Sequence, residues 1–292
     1  MTRFRAIAIG NELLSGDLAD AHVKRFGSFL RDHGLRLNGA ETVPDEIPAI
    51  ESAIARAMNE AEVVLVTGGL GPTTDDLTVE ALASLLGKER VEDAHSAAHI
   101  RERCARRGRS ATPEQIRQAW IPQGTKALSN RAGAAPGVHA VHEGVSLFLF
   151  PGVPSELEAI LHDHLEPWLH KNVASRPLHS AVFKTFGETE SAVAGRLDGI
   201  DWAGAHVAYR ATFPEIHVTV YIEEQDPVEA QRRIANLSEQ VRDRLSPLVF
   251  GEGSEATLAK AVGDALTANK RTVALAESCT GGMVAQTLTD VS

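Results

Sequence analysis

Thr67-Gly68-Gly69-Leu70-Gly71-Pro72-Thr73-Thr74-Asp75-Asp76-Leu77-Thr78 is the segment whose residue types most directly suggest chemistry. Three glycines within four positions let backbone N–H groups approach an anion closely. A helix beginning just afterwards would add the positive end of its dipole. Thr73, Thr74 and Thr78 offer hydroxyl donors for phosphate oxygens, and Thr67, Gly68, Gly69 and Gly71 complete a candidate substrate-binding set. The adjacent carboxylates of Asp75 and Asp76 would repel a phosphate unless a hard divalent cation lay between them, which makes both candidate metal ligands. The plainer alternative is a tight glycine turn with one aspartate capping the helix. Asp45, in Val43-Pro44-Asp45-Glu46, follows a predicted strand and precedes a predicted helix, so it should reach the same sheet edge or serve as an ordinary N-cap. Asn11, Glu12 and Ser15 follow the first predicted strand. They are candidates to orient a ribose or phosphate, although Gly16 with Asp17 also makes an ordinary turn.

The elements that must position these residues alternate between apolar runs and helical periodicity. Arg5–Ile9, Leu35–Val43, Val63–Val66 and Val145–Phe150 read as strands. Leu18–Arg31, Ile47–Asn59, Leu77–Leu86 and Ser155–Leu169 read as helices. Continuous β-branched runs separated by helices predict a parallel sheet covered on both faces, an α/β three-layer sandwich occupying residues 1–172. Lys171–His179, with Pro177, reads as a linker. Strand Ala181–Phe186, helix Thr189–Leu197, strands His206–Thr212 and Ile216–Glu223, helix Val228–Leu245 and strand Leu248–Phe250 give a small β-α-β-β-α-β domain over residues 180–250. Gly251–Ser254 reads as a second linker. A helix at Glu255–Ala268, a strand at Arg271–Ala276 and a Gly281-Gly282 turn then read as the opening of a third α/β domain, residues 252–292.

Composition narrows the function classes. The chain has 292 residues, 43% of them hydrophobic, which excludes disorder over most of its length, and no apolar run is long enough to span a membrane. Its net charge of −10 argues against general nucleic-acid binding while leaving room for one small nucleotide. The only cysteines, Cys104 and Cys279, form neither a disulfide framework nor a zinc set, which fits a cytoplasmic location. The N-terminus lacks a signal-peptide pattern.

Thr67–Thr78, together with Gly10-Asn11-Glu12-Leu13-Leu14-Ser15-Gly16 and Pro151-Gly152-Val153-Pro154-Ser155-Glu156, resembles the competence/damage-inducible CinA family. The resemblance extends over essentially the whole chain. It implies a molybdopterin-binding-like, molybdenum-cofactor-biosynthesis fold for the first domain, in which Asp76 and Thr78 fill an Asp-x-Thr pattern and Asp45 matches a second acidic position. It implies a KH-type middle domain, matched at Phe186-Gly187-Glu188-Thr189-Glu190-Ser191, though without a Gly-x-x-Gly loop, so no RNA binding is expected. Ala276-Glu277-Ser278-Cys279-Thr280-Gly281-Gly282 resembles the opening of a nicotinamide-nucleotide amidohydrolase domain. Its catalytic serine and lysine would lie beyond the segment present here, so no deamidase activity is expected, and Ser278 and Thr280 would at most contribute to a phosphate pocket.

The activity implied for the first domain is metal-dependent hydrolysis of ADP-ribose, with Asp45 and Asp76 catalytic and Asp45, Asp75 and Asp76 holding Mg²⁺ or Co²⁺, a monovalent cation being an optional companion. The expected partner is a small-molecule nucleotide, with neither nucleic acid nor membrane involved, and the expected assembly is a homodimer. The competing readings are a molybdopterin-binding or adenylyltransferase-like protein and a non-enzymatic competence- or damage-associated protein. Three positions depart from the family pattern. Ala21-His22 stands where Thr-Asn is usual, Ala134 where Thr is usual, and the Asn that precedes Gln-Ala is replaced near Gln115. Each removes a polar group that could touch a nucleotide. Elsewhere, Cys279 lacks an identifiable base. His95 and His99 sit at metal-binding spacing without a third ligand, and Arg101–Arg109 reads equally as an anion-attracting run or an exposed helix end. His139, His142, His162 and His164 show no convergent pattern.

Overall fold

The computed structural model describes residues 2–174 and 177–291 and divides into two compact units meeting at residues 175/176. In the first unit, four strands lie side by side in parallel: β1 (Phe4–Ile9), β2 (Leu37–Val43), β3 (Val63–Thr67) and β8 (Val145–Phe150). Between β1 and β2 run α1 (Asn11–Ser15) and α2 (His22–Asp32). Between β2 and β3 runs α3 (Ile47–Glu60), and after β3 comes α4 (Thr78–Leu85). The chain then makes an excursion through β4 (Arg90–Glu92), α5 (Ala94–Arg106), α6 (Pro113–Arg117) and β5 (Trp120–Pro122), in which β4 and β5 form a separate two-stranded ribbon. It rejoins the main sheet at β6 (Lys126–Leu128) and β7 (Gly137–His142) and closes with α7 (Pro154–Ile160), a π-helical turn (Leu161–Leu165) and α8 (Glu166–Asn172).

The sheet order is β2-β1-β3-β8-β7-β6. The predicted all-parallel sheet is therefore mixed, because β7 pairs antiparallel with both β8 and β6. Glu143 and Gly144 make a tight turn of positive φ between β7 and β8, and a turn that short can join only antiparallel neighbours.

Side-chain alternation along the strands explains the three layers. Ile7, Ile9, Val64, Val66, Leu147 and Leu149 point to one face, where α3 and α4 contribute Ile50, Ala53, Ile54, Ala57, Ala81 and Leu82. Phe4, Ala6, Leu65, Phe148 and Phe150 point to the other, against Phe26, Phe29 and Leu30 of α2 and Leu157, Ile160, Leu165 and Leu169 of the last helical run. Both faces are apolar, so the strands read as unbroken hydrophobic runs.

The second unit contains β9 (Leu178–Phe186), α9 (Glu190–Arg196), β10 (His206–Thr212), β11 (Glu215–Glu223), α10 (Pro227–Leu245) and β12 (Val249–Glu252), in the β-α-β-β-α-β order read from the sequence. Its sheet order is β10-β11-β9-β12, antiparallel throughout. Ile216, Val218, Val220 and Ile222 are buried on one face of β11. Gly251 and Glu252, expected in a linker, pair with Lys184 and Phe183 as part of β12. Within the expected Lys171–His179 linker, helix continues to Asn172 and strand begins at Leu178, while Ser175 and Arg176 lie outside the described residues. α11 (Leu258–Ala268) and α12 (Met283–Thr289) follow, without a buried residue in either. The strand expected at Arg271–Ala276 is not formed. Those residues are exposed and unpaired, since a lone strand has no ladder to join. Among the described residues, no helix is long and apolar enough to cross a membrane.

Candidate functional site

β1, β2, β3 and β8 all end at one edge of the sheet, and the segments leaving them surround a cleft of about 590 Å³. This is the edge where ligands bind in open α/β sheets. Backbone bonds fasten the rim together: Gly10 N–H donates to the Val43 carbonyl, and Gly68 N–H to the Phe150 carbonyl, each at 3.1 Å.

The glycine turn is shaped by steric necessity. Gly68 has φ of 102°, and a side chain there would run into the Ile9 carbonyl, so only glycine lets the ends of β1 and β3 approach this closely. Gly69 has φ of 66°, and a Cβ there would collide with the Thr78 hydroxyl. That hydroxyl is fully buried and donates to the Gly68 carbonyl at 2.8 Å. Thr78 therefore locks the turn from beneath, and the structure places it away from the cleft.

Asp76 faces inward along the same loop. Its Oδ1 accepts from Gly71 N–H at 2.6 Å, and its Oδ2 accepts from Thr73 N–H at 2.8 Å and the Thr73 hydroxyl at 2.5 Å. Arg117, from α6, donates to the Pro72 and Thr73 carbonyls and braces the loop from outside. Asp75 is exposed and borders the cleft. Asp45 is half-buried, and one carboxylate oxygen accepts from Asn11 N–H at 2.8 Å. Burial pushes the Asp45 carboxyl above its ordinary range. The Asn11 amide opposes that, and the charges of Glu12, Asp75 and Asp76 push it further up. Glu12, Asp75 and Asp76 thus all act on Asp45, while the Thr73 side chain holds the Asp75 carboxyl below its ordinary range.

Of the residues expected to bind substrate, Glu12, Thr67, Gly68, Gly69 and Gly71 line the cleft with Asp45, Asp75 and Asp76. Thr67 is buried at its floor, its hydroxyl 3.4 Å from the Pro151 carbonyl and 2.9 Å from His22 Nδ1. Asn11, Ser15, Thr73 and Thr74 are exposed and do not line the cleft, and Ser15 donates to Asp17 at 2.6 Å. Ser278 and Thr280 belong to the second compact unit. Thr280 donates to Glu277 at 2.7 Å. Glu277 also accepts from Val284 N–H and Ala285 N–H, so a carboxylate already occupies the N-terminal end of α12.

Residue types alone missed several lining groups: Asp20, His22, Gln118 and Glu156. Asp20 caps α2 by accepting from His22 N–H and Val23 N–H. His22 is half-buried, and desolvation lowers its pKa, so the ring is neutral near pH 7. Asn130, 3% exposed, joins two loops by donating to Glu156 and the Ala135 carbonyl while accepting from Ala132 N–H and Gly133 N–H. A signal existed for His22 and Ala134, because both are departures from the family pattern and both line the cleft. The third departure lies apart from it, with Gln115 completing the capping box of α6.

Comparison with known proteins gives this architecture a lineage. The "Probable molybdopterin binding domain" family matches residues 5–171, the "Damage-inducible protein CinA KH domain" residues 180–251, and the "CinA C-terminal domain" residues 255–292. A CinA-like protein of Geotalea uraniireducens is 33% identical over 99% of this chain and 69% of its own length. The chain belongs to the CinA family. A CinA-like protein of Geobacter sulfurreducens is 34% identical over 99% of this chain and 71% of its own. The crystal structure of CinA of unknown function from Thermoplasma acidophilum covers 59% of this chain and 98% of its own, with 31% identity and a TM-score of 0.53. The CinA architecture thus comprises a molybdopterin-binding-like α/β domain followed by a KH-like domain.

Proposed function

We propose that the cleft of the first domain binds a nucleoside diphosphate ester together with a divalent cation and hydrolyses its pyrophosphate, with ADP-ribose as the substrate and AMP and ribose 5-phosphate as products. The observation that carries this reading is the charge of the lining. Glu12, Asp20, Asp45, Asp75, Asp76 and Glu156 line a cleft whose lining, among the described residues, includes neither lysine nor arginine. Six carboxylates beside a glycine turn suited to phosphate would repel an anionic ligand unless a cation came with it.

The donor set fits a hard divalent ion. Asp45 has one oxygen free of hydrogen bonds among the described residues, and Asp75 is exposed at the rim. Asp76, engaged by three donors of its own loop, holds that loop in shape and completes the negative field. When bound, such an ion polarises the anhydride and lowers the pKa of a coordinated water. With the Gly68 and Gly71 amides already bonded, the chain offers the phosphates the Gly69 and Leu70 amides and, through Asp45, an acceptor for a proton. Neutral His22, held against Thr67, offers Nε2 to a polar group of the ligand.

The experiment is AMP release from ADP-ribose by the full chain in Mg²⁺, Co²⁺ or EDTA. Metal-dependent release that Asp45→Ala removes supports the reading, whereas turnover undiminished in Asp45→Ala sinks it. The molybdopterin-binding family match favours a second reading, in which the same cleft holds a pterin phosphate. Turnover with ATP and molybdopterin, and none with ADP-ribose, selects it.

A further inference from the structure

A second group of ligand-type side chains lies on the helical layer packed against the opposite sheet face, built from α2 and the α7–π–α8 run, none of it lining the cleft. His33, at the C-terminal end of α2, meets Glu166 and His170 of α8, and one nitrogen or oxygen from each lies within 4.8 Å of the others. We propose that His33, Glu166 and His170 form a binding site for a borderline divalent transition-metal ion such as Zn²⁺, separate from the cleft.

The surroundings of His33 fix its tautomer. Its Nδ1 lies 2.8 Å from the Phe29 carbonyl, which can only accept, so Nδ1 carries the proton. With that proton alone on the ring, the Nε2 lone pair faces Glu166 Oε1, 3.2 Å away. Two lone pairs at that distance repel unless a cation lies between them or a second proton sits on the ring. The spacing suits a shared metal, since two ligand atoms about 2.0–2.1 Å from a tetrahedral ion lie roughly 3.3 Å apart.

Glu166 is also oriented from its other side. His162 Nδ1 lies 2.8 Å from Glu166 Oε2, which leaves Oε1 directed at His33. A ligand carboxylate fixed by an outer hydrogen bond, and a ligand histidine fixed by a backbone carbonyl, are the supports that metal ligands normally receive. His170 follows Glu166 by four residues, so both project from one face of α8, and its ring centroid lies 5.5 Å from that of His33. His170 is exposed, so rotation about its side-chain bonds brings its nitrogen to the common centre. The π-helical turn at Leu161–Leu165, a feature frequent at functional sites, precedes Glu166 directly and sets the rotation of α8 relative to α7. Water completes the coordination, as an exposed His₂Glu site allows.

The test is Zn²⁺ titration of the full chain near pH 7.5, read by calorimetry and by competition with a chromophoric chelator, with Co²⁺ absorption reporting ligand geometry. The same titration on Asp45→Asn separates this site from the cleft, so the two readings fail independently. One equivalent bound in Asp45→Asn, weakened at least about tenfold by His170→Ala or Glu166→Gln, supports the site. His170→Ala removes an exposed side chain, so loss of binding there does not reflect unfolding. Binding unaffected by either substitution, or no binding at about a tenfold excess of Zn²⁺, shows that His33 and Glu166 form only an imidazolium–carboxylate pair and overturns the proposal.

Discussion

The two ends of the six-stranded sheet handle negative charge in opposite ways. Where β1 and β3 begin, Glu62 accepts from Arg3 through the guanidinium at 2.6 Å and the backbone amide at 2.7 Å, and Arg5 pairs with Glu60 at 3.1 Å. Arg3 holds the Glu62 carboxyl down at about 2. Where the same strands finish, Asp45 meets Glu12, Asp75 and Asp76 with no arginine or lysine lining the cleft among the described residues, and its carboxyl is pushed up. A fold gains nothing in stability from crowding carboxylates without a counter-charge. The contrast separates an end whose charges are paired from an end whose carboxylates the proposed function assigns to a cation.

That comparison sets the expected effects of substitution. On the proposed function, Asp45→Asn should lower metal-dependent turnover by about a thousandfold, because it removes a charge assigned to the reacting centre. Steady-state kinetics with a circular-dichroism check of folding measures this, and full activity in the variant would put the cation elsewhere. Gly68→Val comes next, at about 3 kcal/mol or more of stability, since it combines a positive φ with a collision against the Ile9 carbonyl. Denaturant unfolding would show it, and a near-normal midpoint would mean that the β1–β3 approach is not steric.

Thr78→Val should cost about 1–2 kcal/mol, the effect of leaving the buried Gly68 carbonyl without its donor. Its activity should fall through loss of loop shape, and turnover per folded molecule tests that.

The smallest effects carry the sign that defines the contrast. In EDTA, the Glu12→Gln variant should melt about 1–2 °C higher than the parent by relieving its repulsion of Asp45. It should also gain less from Mg²⁺ than the parent does. Glu62→Gln should lose stability, by under about 1 kcal/mol given its exposure. The pH dependence of that loss follows from linkage. The folded Glu62 value of about 2 lies below its ordinary 4.5, so its contribution is complete above about 4.5 and disappears as pH falls toward about 2. Calorimetric melting of parent and Glu62→Gln should therefore converge at low pH. Equal behaviour of the two sheet ends in these experiments would erase the distinction.

Much of this was legible from residue order, for identifiable reasons. Val63–Val66 and Val145–Phe150 are hydrophobic without alternation because helices cover both faces, so their burial shows in composition alone. β11 alternates because only one of its faces is covered, and Ile216, Val218, Val220 and Ile222 report that directly. Three elements escaped. The antiparallel β6 and β7 were not read as strands from the sequence, and their place at the sheet edge is set by pairing partners. Gly251 looked like a linker until β9 offered it a ladder. Arg271–Ala276 has strand composition and no partner within its unit, so it forms no strand.

The candidate site divides in the same manner. Local sequence was enough to place Gly68, Gly69, Asp45, Asp75 and Asp76 at one edge, because each follows a strand of the same parallel set. It also implied a glycine turn, since positive φ and close approach of backbone to backbone tolerate little else. Which way each side chain points was decided only by tertiary structure. Thr78 and Asp76 turn onto their own loop, where the buried Gly68 carbonyl and the Gly71 and Thr73 amides need partners. Asp45 is turned toward Asn11, Asp75 is left at the rim, and His22, Asp20 and Glu156 arrive from distant segments. Residue order determines which strands are apolar and which turns require glycine, because those are properties of neighbouring residues. The assembled sheet decides which carboxylates find a hydrogen-bond donor and which are left facing the cleft, because that depends on groups brought together from far along the chain.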